Sequence, residues 1–299
     1  MSQPDRPRAL ILAGPTSSGK SSAALHIASK WQAVVLSADA MQVYRGMDIG
    51  TGKITASECA GVPHFGLDLV EPSEPFDAAD FVELADHLLA QHPRVIIAGG
   101  TSLYLRALVR GLVPTPAADP ALRARFDRLE DPHAALQAVD PALAQRLHPN
   151  DRLRIVRGLE VHALTGNRLS DLQAEHASRP DRVIAEALWL DRDDLTERID
   201  ARVHQMVEAG YVAEVSALLR RGYARSLKPM QSLGYRHFAD HLLDGLPLEE
   251  AIRRTQRDTR RFARKQRNWM RSLGWPRVLP PHQAELERAA ERLWGTIRS

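Results

Sequence analysis

Gly14-Pro15-Thr16-Ser17-Ser18-Gly19-Lys20-Ser21 fits G-x-x-x-x-G-K-[ST] at every fixed position. Backbone N–H groups of such a loop converge on phosphate oxygens, backed by the positive end of the helix that follows. The lysine neutralises phosphate charge, and the Ser21 hydroxyl is placed to serve as a ligand of Mg²⁺. Two residues far from the loop could join it. Asp39 closes the apolar run "AVVLSAD", and Arg202 falls inside the apolar stripe Leu195, Ile199, Val203, Met206 of a helix starting near Asp194. An arginine directed inward needs an anion, either a phosphate or an internal carboxylate.

The partners expected of an ATPase are missing. The run "RVIIAGG" ends in Gly99-Gly100 and Thr101, where a Walker B strand would end in an acid that helps hold Mg²⁺. No N-K-x-D guanine-reading motif occurs. In open α/β sheets, ligands bind at the carboxyl ends of the strands, so Asp39 and Thr101 should both face the phosphate loop. The phosphate is therefore not that of a conventional NTPase substrate.

These residues need a scaffold, and the first third of the chain supplies one. "ALILAG", "AVVLSAD", "HFGLDLV" and "RVIIAGG" read as strands. Between and after them lie the helix opened by the phosphate loop, "DAADFVELADHLLAQ" with Asp77 as cap, and "TSLYLRALVRG" ending at Gly111. Such alternation predicts a parallel sheet with helices on its faces. Three prolines in "PTPAADP" then open a stretch of helices without strands, and a strand candidate returns at "RVIAEALWLD". The expected organisation is an α/β core formed by residues 1–112 and 181–299, with a helical insertion over 113–180.

Of 299 residues, 26% are charged and 44% hydrophobic, and the net charge is +3. These values suit a globular chain with a sizeable core. No apolar run reaches membrane-spanning length, and "MSQPDRPRAL" lacks the apolar core of a secretory signal. One cysteine, Cys59, excludes internal disulfides and multi-cysteine zinc sites. The expected location is cytoplasmic. Charge is concentrated in Arg253 to Arg271, where nine Lys or Arg accompany one acid. Ile252, Phe262, Trp269 and Met270 would dock this helix on the core, leaving Arg257, Arg260, Arg261 and Arg264 for a polyanion or simply for water.

Taken together, "GPTSSGKSSAAL", "SADAMQVYRGMDIGTGK", "DAADF", "AGGTSLYLRAL", "LHPNDRLRIVRGLEVHALTG" and "SLGYRHF" resemble the tRNA dimethylallyltransferases, also called tRNA isopentenyltransferases. The segments run in family order from about residue 10 to 270 and look like the short bacterial form. The resemblance implies a P-loop NTPase-like parallel sheet flanked by helices, with a helical insertion that binds tRNA. It also implies transfer of a dimethylallyl group from dimethylallyl diphosphate to the exocyclic amine of the adenosine 3′ of the anticodon, in tRNAs reading codons that begin with U.

On that reading the loop from Gly14 to Ser21 holds the diphosphate leaving group, with Lys20, Thr16, Arg202 and a Mg²⁺ on Ser21 neutralising it. Asp39 matches the family's catalytic aspartate, a base for the amine; at a strand end it would equally suit a Mg²⁺ ligand or a cap. By resemblance, Asp39, Ala40, Met41 and Gln42 line the tRNA surface. So do Leu153, Arg154, Ile155, Val156 and Arg157, and Gln231, Ser232, Leu233, Gly234, Tyr235 and Arg236. Thr101 and Arg123 match further tRNA-contacting positions. The Q-R pair common in relatives reads Leu153-Arg154 here, and the alanine that follows is Gly158. Tyr44, Tyr104 and Tyr235 are aromatics that either stack bases or belong to the core. The family expectation is a monomer acting on one tRNA.

Three other functions share these features. An adenylate dimethylallyltransferase acting on AMP has the loop and the aspartate but no use for the insertion and the basic helix. A small-molecule kinase has the loop and a strand-end acid but not the "AGGTSLY" strand. A non-catalytic RNA-binding protein leaves the phosphate site without a purpose.

Overall fold

The structure is a computed structural model that describes residues 6–280 and 282–295. The outermost residues of the expected 1–112 and 181–299 core lie outside that range. Strand β1 (Arg8–Ala13) runs into the phosphate loop and helix α1 (Lys20–Trp31). Strands β2 (Val34–Ala38) and β3 (His64–Phe65) follow, then helix α2 (Ala78–Gln91), strand β4 (Val95–Gly99) and helix α3 (Ser102–Arg110). Asp77 caps α2, accepting from the Ala79 and Asp80 amides, while the Asp80 carboxylate accepts from the Asp77 amide. This reciprocal pairing satisfies donors that the first helical turn leaves open.

Chain packing divides the described residues into two units, of which the smaller is Arg110–Asp181. It holds helices α4 (Pro120–Phe126), α5 (Pro132–Val139), α6 (Pro141–Arg146), α7 (Arg152–Thr165) and α8 (Leu169–Ala177). The first three each begin with a proline just after an aspartate cap, a pairing preorganised to start a helix. The unit has its own core of Leu136, Leu143, Ile155, Leu159, Val161 and Leu169.

The chain returns to the larger unit as strand β5 (Ile184–Leu190). Helices α9 (Leu195–Glu208) and α10 (Tyr211–Arg220), a 3-10 turn (Pro229–Gln231), helix α11 (Tyr235–Asp244) and the 25-residue α12 (Leu248–Ser272) come next. Strand β6 (Arg277–Val278) and helix α13 (Gln283–Trp294) complete the described chain. All six strands are parallel, in the order β3-β2-β4-β1-β5-β6. Apolar clusters pack on its faces, one built on Ile11, Leu36, Phe81 and Leu105, another on Leu10, Ile27, Ile96 and Trp294.

Two expectations change. "HFGLDLV" pairs only at His64 and Phe65, because Gly66 (φ 79°) and Asp68 (φ 52°) turn the backbone into the left-handed region. Phe262 does not dock on the core and is 42% exposed. The buried face of α12 is Ala251, Ile252, Thr255, Ala263, Gln266 and Met270, and Phe262 lies about 80° around the helix from Ile252 and from Met270. Trp269 is half-buried against the core.

In the smaller unit, Asp140 is fully buried and accepts from the Leu143 amide (3.0 Å), the Ser170 amide (2.9 Å) and the Ser170 hydroxyl (2.6 Å). Asp140→Ala strands three buried donors at once. Thermal or denaturant unfolding should show a loss of about 3 kcal/mol.

Candidate active site

Pairing levels the ends of three neighbouring strands. Ala13 of β1 is in register with Gly99 of β4, and Gly99 with Ala38 of β2. Gly14, Gly100 and Asp39 therefore leave the sheet at one height, spaced by the ~4.8 Å that separates adjacent strands. This is the carboxyl edge where open α/β sheets bind ligands.

The phosphate loop turns through Ser17 (φ 63°) and Gly19 (φ 96°) into α1. A Cβ on Gly14 would sit 2.6 Å from both the Leu190 carbonyl oxygen and Ser18 Oγ, so that position requires glycine. Ser17 and Ser18 are buried, and their hydroxyls have no hydrogen-bond partner among the described residues. A buried polar group without a partner is costly, and anion oxygens at a helix N-terminus are the complement this site lacks. Lys20 folds back to donate from Nζ to the Pro15 carbonyl (2.7 Å).

Two arginines, one turn apart on α9, approach from the side. Arg198 Nε donates to the Ser17 carbonyl at 3.1 Å, and Arg202 Nη2 lies 3.5 Å from the Gly52 carbonyl. The stripe expected to carry Arg202 inward is present, with Leu195, Ile199 and Val203 buried. Among the described residues no carboxylate forms an ion pair with Arg202, so the internal salt bridge weighed from the sequence is not made. Burial pulls the Arg202 guanidinium below its ordinary value; Asp39 opposes this and Arg198 adds to it. Lys20 is pushed down to about 8, chiefly by burial and also by Arg202, against the opposing pull of Asp39.

Asp39 accepts the Met41 amide on Oδ1 at 2.9 Å. Its Oδ2 takes no hydrogen bond among the described residues. The end of β5, on the far side of β4 and β1 from Asp39, carries a second acid, Asp191, but its oxygens are occupied by Arg267 and Arg277, each at 2.7 Å. Thr101 supports the Asp39 turn: its Oγ1 accepts from Ala40 N–H at 3.0 Å, and its own amide donates to the Ala38 carbonyl. Gln42 is held by the Ser37 hydroxyl and reaches toward the Thr51 and Gly52 carbonyls. Among the described residues no group of three His, Cys, Asp or Glu is placed to hold a metal. A hard cation here would rely on Ser21, diphosphate oxygens and water, a ligand set that suits Mg²⁺.

Sequence reasoning missed Arg198, which faces the same anion site as Arg202. It also missed Gln266 of α12, whose buried amide accepts from Thr16 N–H (3.1 Å) and donates to the Gly100 carbonyl (3.0 Å). That side chain ties the phosphate loop to the end of β4, and a Cβ on Gly100 would overlap it.

The residues expected at a tRNA surface are of two kinds. In the smaller unit Leu153 is 79% exposed and Arg154 is exposed, pairing with Asp151. Ile155 and Val156 are buried, so only Leu153, Arg154 and Arg157 of that run present side chains outward. Arg123 and Arg157 both grip the fully buried Glu160, and Arg157 also donates to Thr115 and Pro116. In the larger unit Tyr235 is buried with its hydroxyl on Glu214, and Arg236 pairs with Asp258. Gln231 donates to the Arg225 carbonyl, and the Ser232 hydroxyl is buried without a partner. Tyr44 and Tyr104 are core residues, with Tyr104 stacked on Phe81 at 4.5 Å between centroids. On α12, Arg257 and Arg261 pair with Asp258, and Arg260 with Asp200.

A phosphate loop on a parallel sheet, beside two arginines and a strand-end aspartate with a free oxygen, defines a P-loop NTPase-like fold with no acid at the end of β4. The IPP transferase family model matches residues 42–273, and the chain belongs to that family. It is 47% identical over 280 residues to tRNA dimethylallyltransferase 1 of Syntrophotalea carbinolica, covering 90% of this chain and 89% of that one. It is also 47% identical over 293 residues to the tRNA dimethylallyltransferase of Anaeromyxobacter dehalogenans, covering 93% and 95%. A solved tRNA isopentenylpyrophosphate transferase of Bacillus halodurans is similar with a TM-score of 0.71 and 33% identity, over 97% of this chain and 96% of that one. A eukaryotic dimethylallyltransferase acting on tRNA superposes with a TM-score of 0.80 at 26% identity, over 95% of this chain and 77% of that one.

Because Lys20 is protonated below about pH 8 and neutral above it, the kcat/KM for a diphosphate substrate, which reports the free enzyme, should fall along an alkaline limb centred there. Lys20→Arg should move that limb beyond pH 9 while lowering the plateau. A wild-type profile flat to pH 10 would contradict the placement of this charge.

Proposed function

We propose that this protein is a tRNA dimethylallyltransferase, joining the dimethylallyl group of dimethylallyl diphosphate to the exocyclic amine of the adenosine 3′ of the anticodon. The observation that carries the reading is Asp39, a strand-end carboxylate with one free oxygen beside an anion site made of Lys20, Arg198 and Arg202. The family and its similarly named relatives favour this over the AMP transferase, the kinase and the non-catalytic binder.

The adenine amine is a weak nucleophile because its lone pair is delocalised into the ring. As nitrogen bonds to the allylic carbon, the carbon–oxygen bond to diphosphate breaks and Asp39 accepts the amine proton. General-base help of this kind is worth about 10²–10⁴-fold. The Met41 amide on Oδ1 fixes the carboxylate so that Oδ2 faces the amine. Lys20, Arg198, Arg202, the loop amides, Thr16 and the Ser17 and Ser18 hydroxyls gather the charge of the departing diphosphate. Mg²⁺, held by Ser21 and diphosphate oxygens, supplies further neutralisation when bound.

The target base must leave the anticodon stack to reach this site. Ala40, Met41, Gln42 and Thr101 border Asp39 and would receive it. Leu153, Arg154 and Arg157 of the smaller unit, Arg123 alongside them, and Gln231, Ser232, Leu233 and Arg236 make up the remaining tRNA contacts, with the buried Gly234 and Tyr235 shaping that segment. Ile155 and Val156 contribute by shaping α7 rather than by touching RNA. No described helix is long and apolar enough to cross a membrane; we place the enzyme in the cytoplasm, acting as a monomer.

Purified protein with Mg²⁺, labelled dimethylallyl diphosphate and unmodified tRNA should transfer label to tRNA and none to AMP. Asp39→Asn keeps the acceptor for the Met41 amide and should lose about 10²–10⁴-fold in rate with tRNA binding retained. Label in AMP alone, or ATP consumed without transfer, would overturn the reading.

A further inference from the structure

The first turn of α10 carries two side chains that fasten loops from distant parts of the chain. Glu214 Oε2 accepts from the Asp48 amide at 2.9 Å and the Ile49 amide at 2.7 Å. Its Oε1 accepts from the Gly50 amide at 3.1 Å and the Tyr235 hydroxyl at 2.6 Å. One turn earlier, the buried Tyr211 ring lies against both Gly50 and Gly234, where an added Cβ would overlap it. The Tyr211 hydroxyl donates to the Leu233 carbonyl at 3.2 Å.

The fastened loop reaches the site directly. Two residues beyond Gly50, the Gly52 carbonyl faces Arg202 Nη2 at 3.5 Å and Gln42 Nε2 at 3.4 Å. Gly52 has φ 60°, and a Cβ there would overlap the Arg202 guanidinium. Displacing Asp48–Gly50 therefore displaces the surface against which Arg202 and Gln42 are set. Through Tyr235, the same carboxylate also fixes the start of α11. With four donors on its two oxygens, Glu214 is committed to holding these loops, so its role is one of position rather than of contact with the reacting atoms.

We propose that Glu214 is a positioning residue for transfer: it registers the 48–52 loop against Arg202 and Gln42 and couples that register to the Gln231–Arg236 segment. This role rests on the prenyl-transfer reading above. It requires a carboxylate. A glutamine offers one acceptor oxygen and turns an NH₂ toward donors, so at least one pair of bonds is lost. An aspartate keeps both oxygens but falls a methylene short. Misplacement of about 1 Å at a reacting geometry costs up to about 10²-fold in rate.

The test uses the full chain in the tRNA transfer assay, with active sites titrated and inorganic diphosphate binding measured alongside. Glu214→Gln should lower kcat per active site by about tenfold or more, while the Kd for inorganic diphosphate rises by a smaller factor, since Lys20, Arg198 and the Gly14–Ser21 loop are untouched and only the surface behind Arg202 shifts. Tyr235→Phe should lower kcat less, and added to Glu214→Gln it should cost less than it does alone, because the two share one hydrogen bond. A merely structural role would instead reduce the titrated fraction and the Tm with kcat per active site intact. That result, or independent multiplicative effects of the two substitutions, overturns the inference. If Glu214→Gln does not fold, Tyr235→Phe alone decides: kcat per site within 20% of wild type overturns it. Wild-type protein that transfers nothing to tRNA overturns the underlying reading and this role with it, whereas active wild type with an unimpaired Glu214→Gln overturns the role alone.

Discussion

Burial of positive charge is the constraint on which the rest of the structure depends. Lys20, Arg198 and Arg202 share one end of the sheet with Asp39, whose Oδ1 alone is engaged among the described residues. Burial is what chiefly depresses Lys20, with Asp39 opposing the shift and Arg202 adding to it, and cations taken from water call for an anion. On the proposed function, a diphosphate would supply the complementary charge, and the buried Ser17 and Ser18 hydroxyls would supply donors for its oxygens. Ground-state affinity and leaving-group stabilisation then come from the same groups. They act most strongly as the carbon–oxygen bond breaks and charge accumulates on the diphosphate.

The fold holds these charges together by register and by long-range side-chain ties. Levelled strand ends place Gly14, Gly100 and Asp39 side by side. Gln266 locks the phosphate loop to Gly100, Thr101 locks the Asp39 turn to the end of β4, and Glu214 locks the 48–52 loop under Arg202. Gln266 lies on the basic helix α12, so the helix with the densest positive charge is also the one that braces the phosphate loop. In the smaller unit, buried Glu160 does similar work by orienting Arg123 and Arg157.

Legibility in the sequence followed the range of the interaction. The phosphate loop, the strand that ends at Asp39 and the cap at Asp77 are local patterns, and each is written in a few adjacent residues. Arg202 was legible because helical periodicity turns an arginine within an apolar stripe into a statement about direction. Gln266, Arg198 and Glu214 were not, since their partners lie 250, 181 and 164 to 166 residues away. Phe262 was misread because hydrophobicity was weighed ahead of its angle on the helix. The strand at His64 was overextended because the turn at Asp68 is a backbone conformation that composition does not announce. For Tyr235, Ile155 and Val156, the motif marks a segment without its burial, and burial separates residues that shape a surface from those that can touch RNA.

The central claim is that the loop holds a leaving group, so the bond that breaks joins carbon to oxygen. Dimethylallyl diphosphate carrying ¹⁸O at the bridging position between carbon and phosphorus tests this directly, by mass analysis of the released diphosphate and of the modified tRNA. The account predicts that all of the label leaves with diphosphate and none remains with the dimethylallyl group. Label retained on the carbon chain would mean phosphorus–oxygen cleavage, the chemistry of a kinase or phosphatase, and would contradict it.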